Sequence, residues 1–197
     1  GTGFIGEMHL SCFEKIEDVD IAGIVEKNGD RRREVADNYD VEGYRDLSTL
    51  FNRENIDVID ICLPTTLHKP FIEDSVNHVD TIICEKPIAR TLSAARDIDS
   101  IVKNNDVDLY IGHVVRFFPE YVKIREKINN GAVGNVGVVR TFRGGAPPSE
   151  RAGWYSDLDE SGGILVDLLI HDFDWLRWTV GDINSVYTQG LSYKEGH

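Results

Sequence analysis

The first six residues, Gly1-Thr2-Gly3-Phe4-Ile5-Gly6, carry the G-x-G-x-x-G spacing. Glycines so placed let a backbone turn tightly and approach a dinucleotide pyrophosphate, which makes Gly1, Gly3, Phe4, Ile5 and Gly6 candidate cofactor contacts. The spacing alone is weak evidence, because surface turns share it; its surroundings sharpen it. Apolar residues at Ile5, Met8, Leu10, Phe13 and Ile16 follow a helical period, so the glycines sit at a helix N-terminus, where unpaired N–H groups attract phosphate. A strand expected over 20–25 ends on Glu26, about 20 residues past the last glycine, where an acid binds ribose hydroxyls. Glu26 repels a 2′-phosphate and favours NAD, while Lys27, Arg31, Arg32 and Arg33 keep NADP open. The bland alternative is a turn, a helix and a solvated basic helix start. A dinucleotide fold also needs a strand ahead of its glycines, so the chain reads as a fragment whose first strand is missing.

After Glu26, helices expected over 30–38, 46–53, 69–79 and 92–103 alternate with strands over 58–63, 81–84 and 109–112. That alternation, with right-handed crossovers, predicts an α/β class: a Rossmann-type doubly wound parallel sheet over residues 1–114. Residues 115–197 read differently. A helix over 119–128, a half-solvated strand over 136–142, a loop over 144–159, an apolar helix from Ser161-Gly162-Gly163 to Val180 and a strand over 185–191 predict a second, incomplete α/β domain with an open mixed or antiparallel sheet.

Composition narrows the function classes. The 34 Asp+Glu against 21 Lys+Arg give a formal net charge of −13, which argues against a broad surface for nucleic acid or anionic membrane. No run approaches the ~20 apolar residues of a membrane span. Cys12, Cys62 and Cys84 show no C-x-x-C spacing, so a disulfide framework or zinc knuckle is not expected; Cys62 and Cys84 fit small core residues of a cytoplasmic protein.

Two strand ends of the first domain carry candidate chemistry. In Leu63-Pro64-Thr65-Thr66-Leu67-His68, hydroxyls and an imidazole follow a buried strand, where a nicotinamide ribose would lie; helix capping by Thr65 or Thr66 is the equal alternative. Glu85-Lys86-Pro87 directly follows strand 81–84, and a lysine there suits a substrate hydroxyl whose charge changes during hydride transfer. In the second domain Asp167 and His171 stand four apart in an expected helix and so share a face, continued by Asp174 and Trp178. Either a substrate cleft or a buried hydrogen-bonded network accounts for such polar groups on an apolar helix. No cluster beyond Asp167 and His171 has metal-ligand spacing, so no metal is expected. His9, His78 and His197 read as capping or surface residues.

GTGFIG with His9, PTTLH, EKP, the segment Gly112 to Pro119 and GGILVDLLIHDFDWLRWTVG together resemble the Gfo/Idh/MocA family of oxidoreductases, over nearly the whole chain. The resemblance implies an NAD(P)-dependent dehydrogenase of sugars, cyclitols or related polyols, with a second-domain sheet that forms a homo-oligomer interface. It implies a catalytic Lys86 and a cis peptide before Pro87, with Pro64, Thr65, His68 and Glu85 also near the cofactor. His171 is then the general base, Asp167 positions substrate, and Arg116 either binds substrate or buttresses the EKP turn. Two other readings stay open: a redox glycoside hydrolase that uses bound NAD transiently, and a sensor without turnover.

Overall fold

Apolar tetrapeptides set the sheet of the first unit. β3 (Val58–Ile61), β4 (Thr81–Cys84) and β5 (Asp108–Ile111) pair in parallel, in the order β3-β4-β5, with Ile59 opposite Ile82 and Ile82 opposite Leu109. Alternate residues Ile59, Ile61, Ile82 and Cys84 are buried, and α4 (His68–Ser75) and α5 (Leu92–Asn104) contribute Ile72, Ile98 and Val102 to the same core. Each such aliphatic side chain contributes about 1.5–3 kcal/mol on burial. The computed structural model describes residues 1–144 and 157–190. The chain divides into two compact units, Gly1–Gly112 and a second that begins at His113, two residues before the boundary expected from sequence.

The predicted strand over 20–25 is shorter than expected. Only Ile24–Val25 (β1) pairs, in parallel, with Gly43–Tyr44 (β2), a strand too short to register in the hydrophobic pattern. Among the described residues the parallel sheet therefore stands in two pieces, β1-β2 and β3-β4-β5. A cavity of about 530 Å³ is lined by both edges, with Ile24 and Val25 on one side and Val58, Ile59 and Ile61 on the other.

Helix boundaries follow side-chain caps. Asn28 accepts from the N–H groups of Asp30 and Arg31 to start α2 (Gly29–Tyr39), Asp46 caps α3 (Leu47–Phe51), and Thr91 caps α5. α1 runs Phe4–Phe13, three residues short of the expected end.

In the second unit Pro119 opens α6 (Pro119–Asn129), where its missing N–H costs nothing. The long helix expected from Ser161-Gly162-Gly163 to Val180 is instead two short ones, α8 (Ile164–Asp167) and α9 (Ile170–Thr179), and a further helical turn, α7 (Leu158–Ser161), precedes the glycines. Gly162 and Gly163, with φ of 75° and 78°, occupy the left-handed region and end α7. Between α8 and α9 the ladder slips: Leu169 N–H reaches the Ile164 carbonyl at 2.9 Å, five residues back rather than four. The expected strand over 136–142 is not formed, nor is the described part, to residue 190, of the strand expected over 185–191. Val138 and Phe142 are 78% and 96% exposed, and among the described residues neither segment meets a partner to complete a ladder. Residues 145–156 of the expected loop, Leu191 and His197 lie outside the described residues. No helix among the described residues is long and apolar enough to cross a membrane.

Candidate functional site

The glycine turn is built by close approach. A Cβ on Gly1 would meet the Cys62 carbonyl oxygen at 2.5 Å and Leu63 at 2.6 Å, and one on Gly6 would run into the Gly1 carbonyl oxygen. Gly3, by contrast, meets nothing within 4 Å, and no side chain caps the α1 N-terminus that it begins. Closed against the protein on two glycines and open on the third, this turn fits a dinucleotide phosphate approaching the helix end.

Glu26 follows β1 directly. Its carboxylate accepts from the Thr2 hydroxyl and from the Asn28 N–H, both at 2.9 Å. Burial opposes its charge, but these hydrogen bonds outweigh burial and hold the carboxyl below its ordinary range. The three arginines near it are engaged. Arg31 donates to the Thr2 carbonyl and pairs with Glu7 and Glu34, Arg32 donates to the Glu26 carbonyl, and Arg33 pairs with Asp30.

Beyond β3, Pro64 introduces a 3-10 turn at Thr65–Leu67, with Thr65 buried. His68 is 1% exposed, and its Nδ1 and Nε2 lie 3.0 Å and 2.8 Å from the carbonyl oxygens of Pro87 and Leu63. Desolvation lowers its pKa, although the hydrogen bonds to the carbonyls oppose that shift. Expected as a cofactor neighbour, the imidazole faces inward and joins the end of β3 to the turn after β4. That turn is Glu85-Lys86-Pro87, and its Lys86–Pro87 peptide is cis. The Glu85 N–H continues the ladder to Ile61 at 3.0 Å, while a Glu85 carboxylate oxygen accepts the Lys86 N–H at 3.1 Å.

Sequence reading missed a cluster here. His9 on α1 places Nδ1 2.8 Å from Asp60 Oδ2 and 3.3 Å from Cys62 Sγ, and Nε2 3.5 Å from Glu85. The donor atoms of His9, Asp60 and Cys62 lie within 4.8 Å of one another. The hydrogen bond to Asp60, then the contacts with Cys62 and Glu85, push the His9 imidazole up to about 12. Its available signal was Asp60, a carboxylate inside an apolar strand that must find a partner there.

In the second unit, Asp167 closes α8 and His171 lies in the first turn of α9. The break between those helices means that they do not share one continuous helix face. Arg116, expected to meet substrate or the EKP turn, donates through Nε and Nη2 to both oxygens of Asp174, at 2.7 and 2.5 Å. Arg143 pairs likewise with the buried Asp172, Nε to Oδ2 at 2.6 Å. The guanidinium of Arg125 lies 3.7 Å from the centre of the Trp178 ring.

Glycine turn, helix N-terminus and strand-end acid on a parallel α/β scaffold define a dinucleotide-binding protein of the Rossmann class. Residues 1–113 match the oxidoreductase family with an NAD-binding Rossmann fold, and residues 121–196 match the Gfo/Idh/MocA C-terminal domain. The chain belongs to the Gfo/Idh/MocA family. It is 32% identical to a myo-inositol 2-dehydrogenase of Thermotoga maritima over 96% of this chain and 56% of that protein. Among solved structures it is similar to a probable dehydrogenase from Thermotoga maritima, at 30% identity and TM-score 0.82 over 91% of this chain and 53% of the other. An oxidoreductase from Agrobacterium radiobacter in complex with NAD+, L-tartaric acid and magnesium matches at 25% identity and TM-score 0.82, over 93% and 54%. The chain thus spans about half the length of the relatives it matches.

Proposed function

We propose that the protein is an NAD-dependent dehydrogenase of a cyclitol, sugar or related polyol, acting on a CH–OH group. The observation that carries the cofactor preference is Glu26, held ionised by Thr2 and Asn28 at the end of β1 while Arg31 is engaged by the Thr2 carbonyl, Glu7 and Glu34. A ribose diol can donate to that carboxylate, whereas a 2′-phosphate would meet its charge. Gly1, Gly3, Phe4, Ile5 and Gly6 would hold the pyrophosphate, and Pro64, Thr65 and the Glu85-Lys86-Pro87 turn the nicotinamide end. When bound, the nicotinamide supplies the hydride acceptor.

The remaining steps fall to side chains of this chain. The Lys86 ammonium donates to the substrate oxygen and steadies the charge that develops on it. A ring nitrogen of His171 takes the hydroxyl proton, and Asp167 orients the substrate. Support for these roles is the family match over both units together with the D-x-x-x-H and EKP motifs. Relatives named inositol dehydrogenases point to a cyclitol as the first substrate to try.

A screen of inositols, hexoses and tartrate with NAD and NADP tests the reading, with reduced cofactor measured by absorbance. Turnover of at least one polyol with NAD preferred is expected. Lys86→Ala should then lower kcat by ~100-fold or more with NAD affinity retained. Release of a free sugar from a glycoside without accumulation of reduced cofactor would replace this reading with that of a redox hydrolase. Unchanged kcat in Lys86→Ala would remove the lysine from the chemistry.

A further inference from the structure

The Glu85 carboxylate is confined from two sides. Its side chain is 15% exposed, His9 Nε2 stands 3.5 Å from Oε1 on one side, and on the other a Cβ built on Gly112 would lie 2.6 Å from the same oxygen. The bare Cα of Gly112 is therefore what makes room for the carboxylate at the end of β5. Oε2 then receives the backbone N–H of Lys86 at 3.1 Å. A carboxylate this enclosed needs a counter-charge. The imidazole of His9 faces carboxylates at both nitrogens, Asp60 at 2.8 Å and Glu85 at 3.5 Å, with Cys62 Sγ at 3.3 Å from Nδ1. Both ring nitrogens meet acceptors, which is the environment of a doubly protonated ring.

We propose that His9 is a positioning residue for Lys86: its imidazolium, anchored on Asp60, fixes the Glu85 carboxylate, which in turn fixes the Lys86 backbone. The inference rests on the proposed role of Lys86 in the dehydrogenase reaction. The chain of contacts is continuous: Asp60 on β3, His9 on α1, Glu85 after β4 and the Lys86 N–H. Because α1 begins at the glycine turn, the same helix that meets the pyrophosphate also sets the residue preceding the catalytic lysine. Asp60, Cys62 and Glu85 are the titratable groups that face the ring. The carboxylates stabilise its charge, and hydrogen bonding to Asp60 is the largest contribution. A metal held by His9, Asp60 and Cys62 would need an unprotonated ring nitrogen and a thiolate. The 2.8 Å separation of Nδ1 and Oδ2 is instead that of an N–H···O hydrogen bond.

His9→Leu and His9→Gln, with Glu85→Gln as the second point of attack, separate the possibilities. Three readings are made on each protein: polyol turnover, NAD affinity, and the NMR resonances of the Lys86 amide and the His9 ring. In the parent both His9 nitrogens should stay protonated from pH 6 to 9. In His9→Leu the Lys86 amide proton should shift in the same direction as in Glu85→Gln. kcat should fall by about tenfold with KM and NAD affinity within about threefold, His9→Gln should recover part of the loss, and the His9→Leu/Glu85→Gln double variant should be no worse than the poorer single variant. A ring titrating near its ordinary value, an unmoved Lys86 amide, or unaltered kcat in His9→Leu would overturn the proposal. So would stoichiometric Zn²⁺ binding to the parent that is lost in His9→Gln. A parent that turns over no polyol defeats the dehydrogenase reading alone, since ring and amide resonances still decide whether His9 governs Lys86.

Discussion

The two units are held together by different forces. In the first, Ile61, Ile72, Ile82 and Ile98 are at most 2% exposed and belong to one aliphatic cluster between strands and helices. In the second, the buried set among the described residues is Val115 and Trp175 with the polar Ser161, Asp172 and Thr179. Helix α9 is secured there by Arg143 on Asp172 and Arg116 on Asp174, while Phe117 and Phe142 stay exposed. The difference teaches where each unit is fragile. Hydrophobic burial is spread over many contacts and degrades gradually, whereas an ion pair is lost whole when either partner goes.

Emptying the first core should give the largest effect. Ile82 is 0% exposed in the central strand β4, and Ile82→Ala should destabilise the first unit by about 2–5 kcal/mol, the transfer loss plus a cavity that packed neighbours cannot fill. Residue-resolved hydrogen exchange in denaturant checks this, with protection falling across β3, β4 and β5. If protection fell only at β4 itself, the cluster would not be one cooperative core.

Cutting a charge pair in the second unit should come next. Asp172 is 5% exposed in its side chain and Arg143 is 25% exposed, so Asp172→Ala strands a guanidinium that water reaches only in part. A loss of about 2 kcal/mol is expected, below the figure for a fully buried pair. The checking measurement is exchange protection in α9, compared with an Arg143→Met/Asp172→Leu double variant. If the double variant proved as unstable as Asp172→Ala, packing around the pair rather than the stranded charge would be the cause.

The same contrast explains what could be read from sequence. The strands expected over 58–63 and 81–84 announced themselves as short, mostly apolar runs, and the structure forms Val58–Ile61 and Thr81–Cys84 with alternate residues buried. The place of Glu26 at the end of a strand was legible from its distance to Gly6. Contacts that depend on three dimensions were not: nothing in the spacing of His9, Asp60 and Glu85 says that α1 delivers an imidazole between two carboxylates. In the second unit, the pattern Ile164 to Thr179 is helical throughout in composition, yet the slip at Leu169 divides it and separates Asp167 from His171. Hydrophobic period specifies which face is apolar; it does not specify whether each carbonyl finds the fourth or the fifth residue on. Likewise the alternation over 136–142 describes a strand that needs a neighbour, and a neighbour is not a property of the segment itself.

The smallest effect isolates burial from bond length. Arg33 and Asp30 on α2 form a pair at 2.5 Å, as short as Arg143 and Asp172 at 2.6 Å. Arg33 and Asp30, however, are 74% and 91% exposed in their side chains. Water already solvates both charges, salt screens them, and holding two long side chains in one geometry costs entropy, so Arg33→Ala should change stability by no more than ~0.5 kcal/mol. Denaturant midpoints at low and high salt measure it against Asp172→Ala. If the exposed pair proved worth as much as the enclosed one, distance would govern these interactions, and the stability assigned to α9 through Asp172 would lose its physical basis.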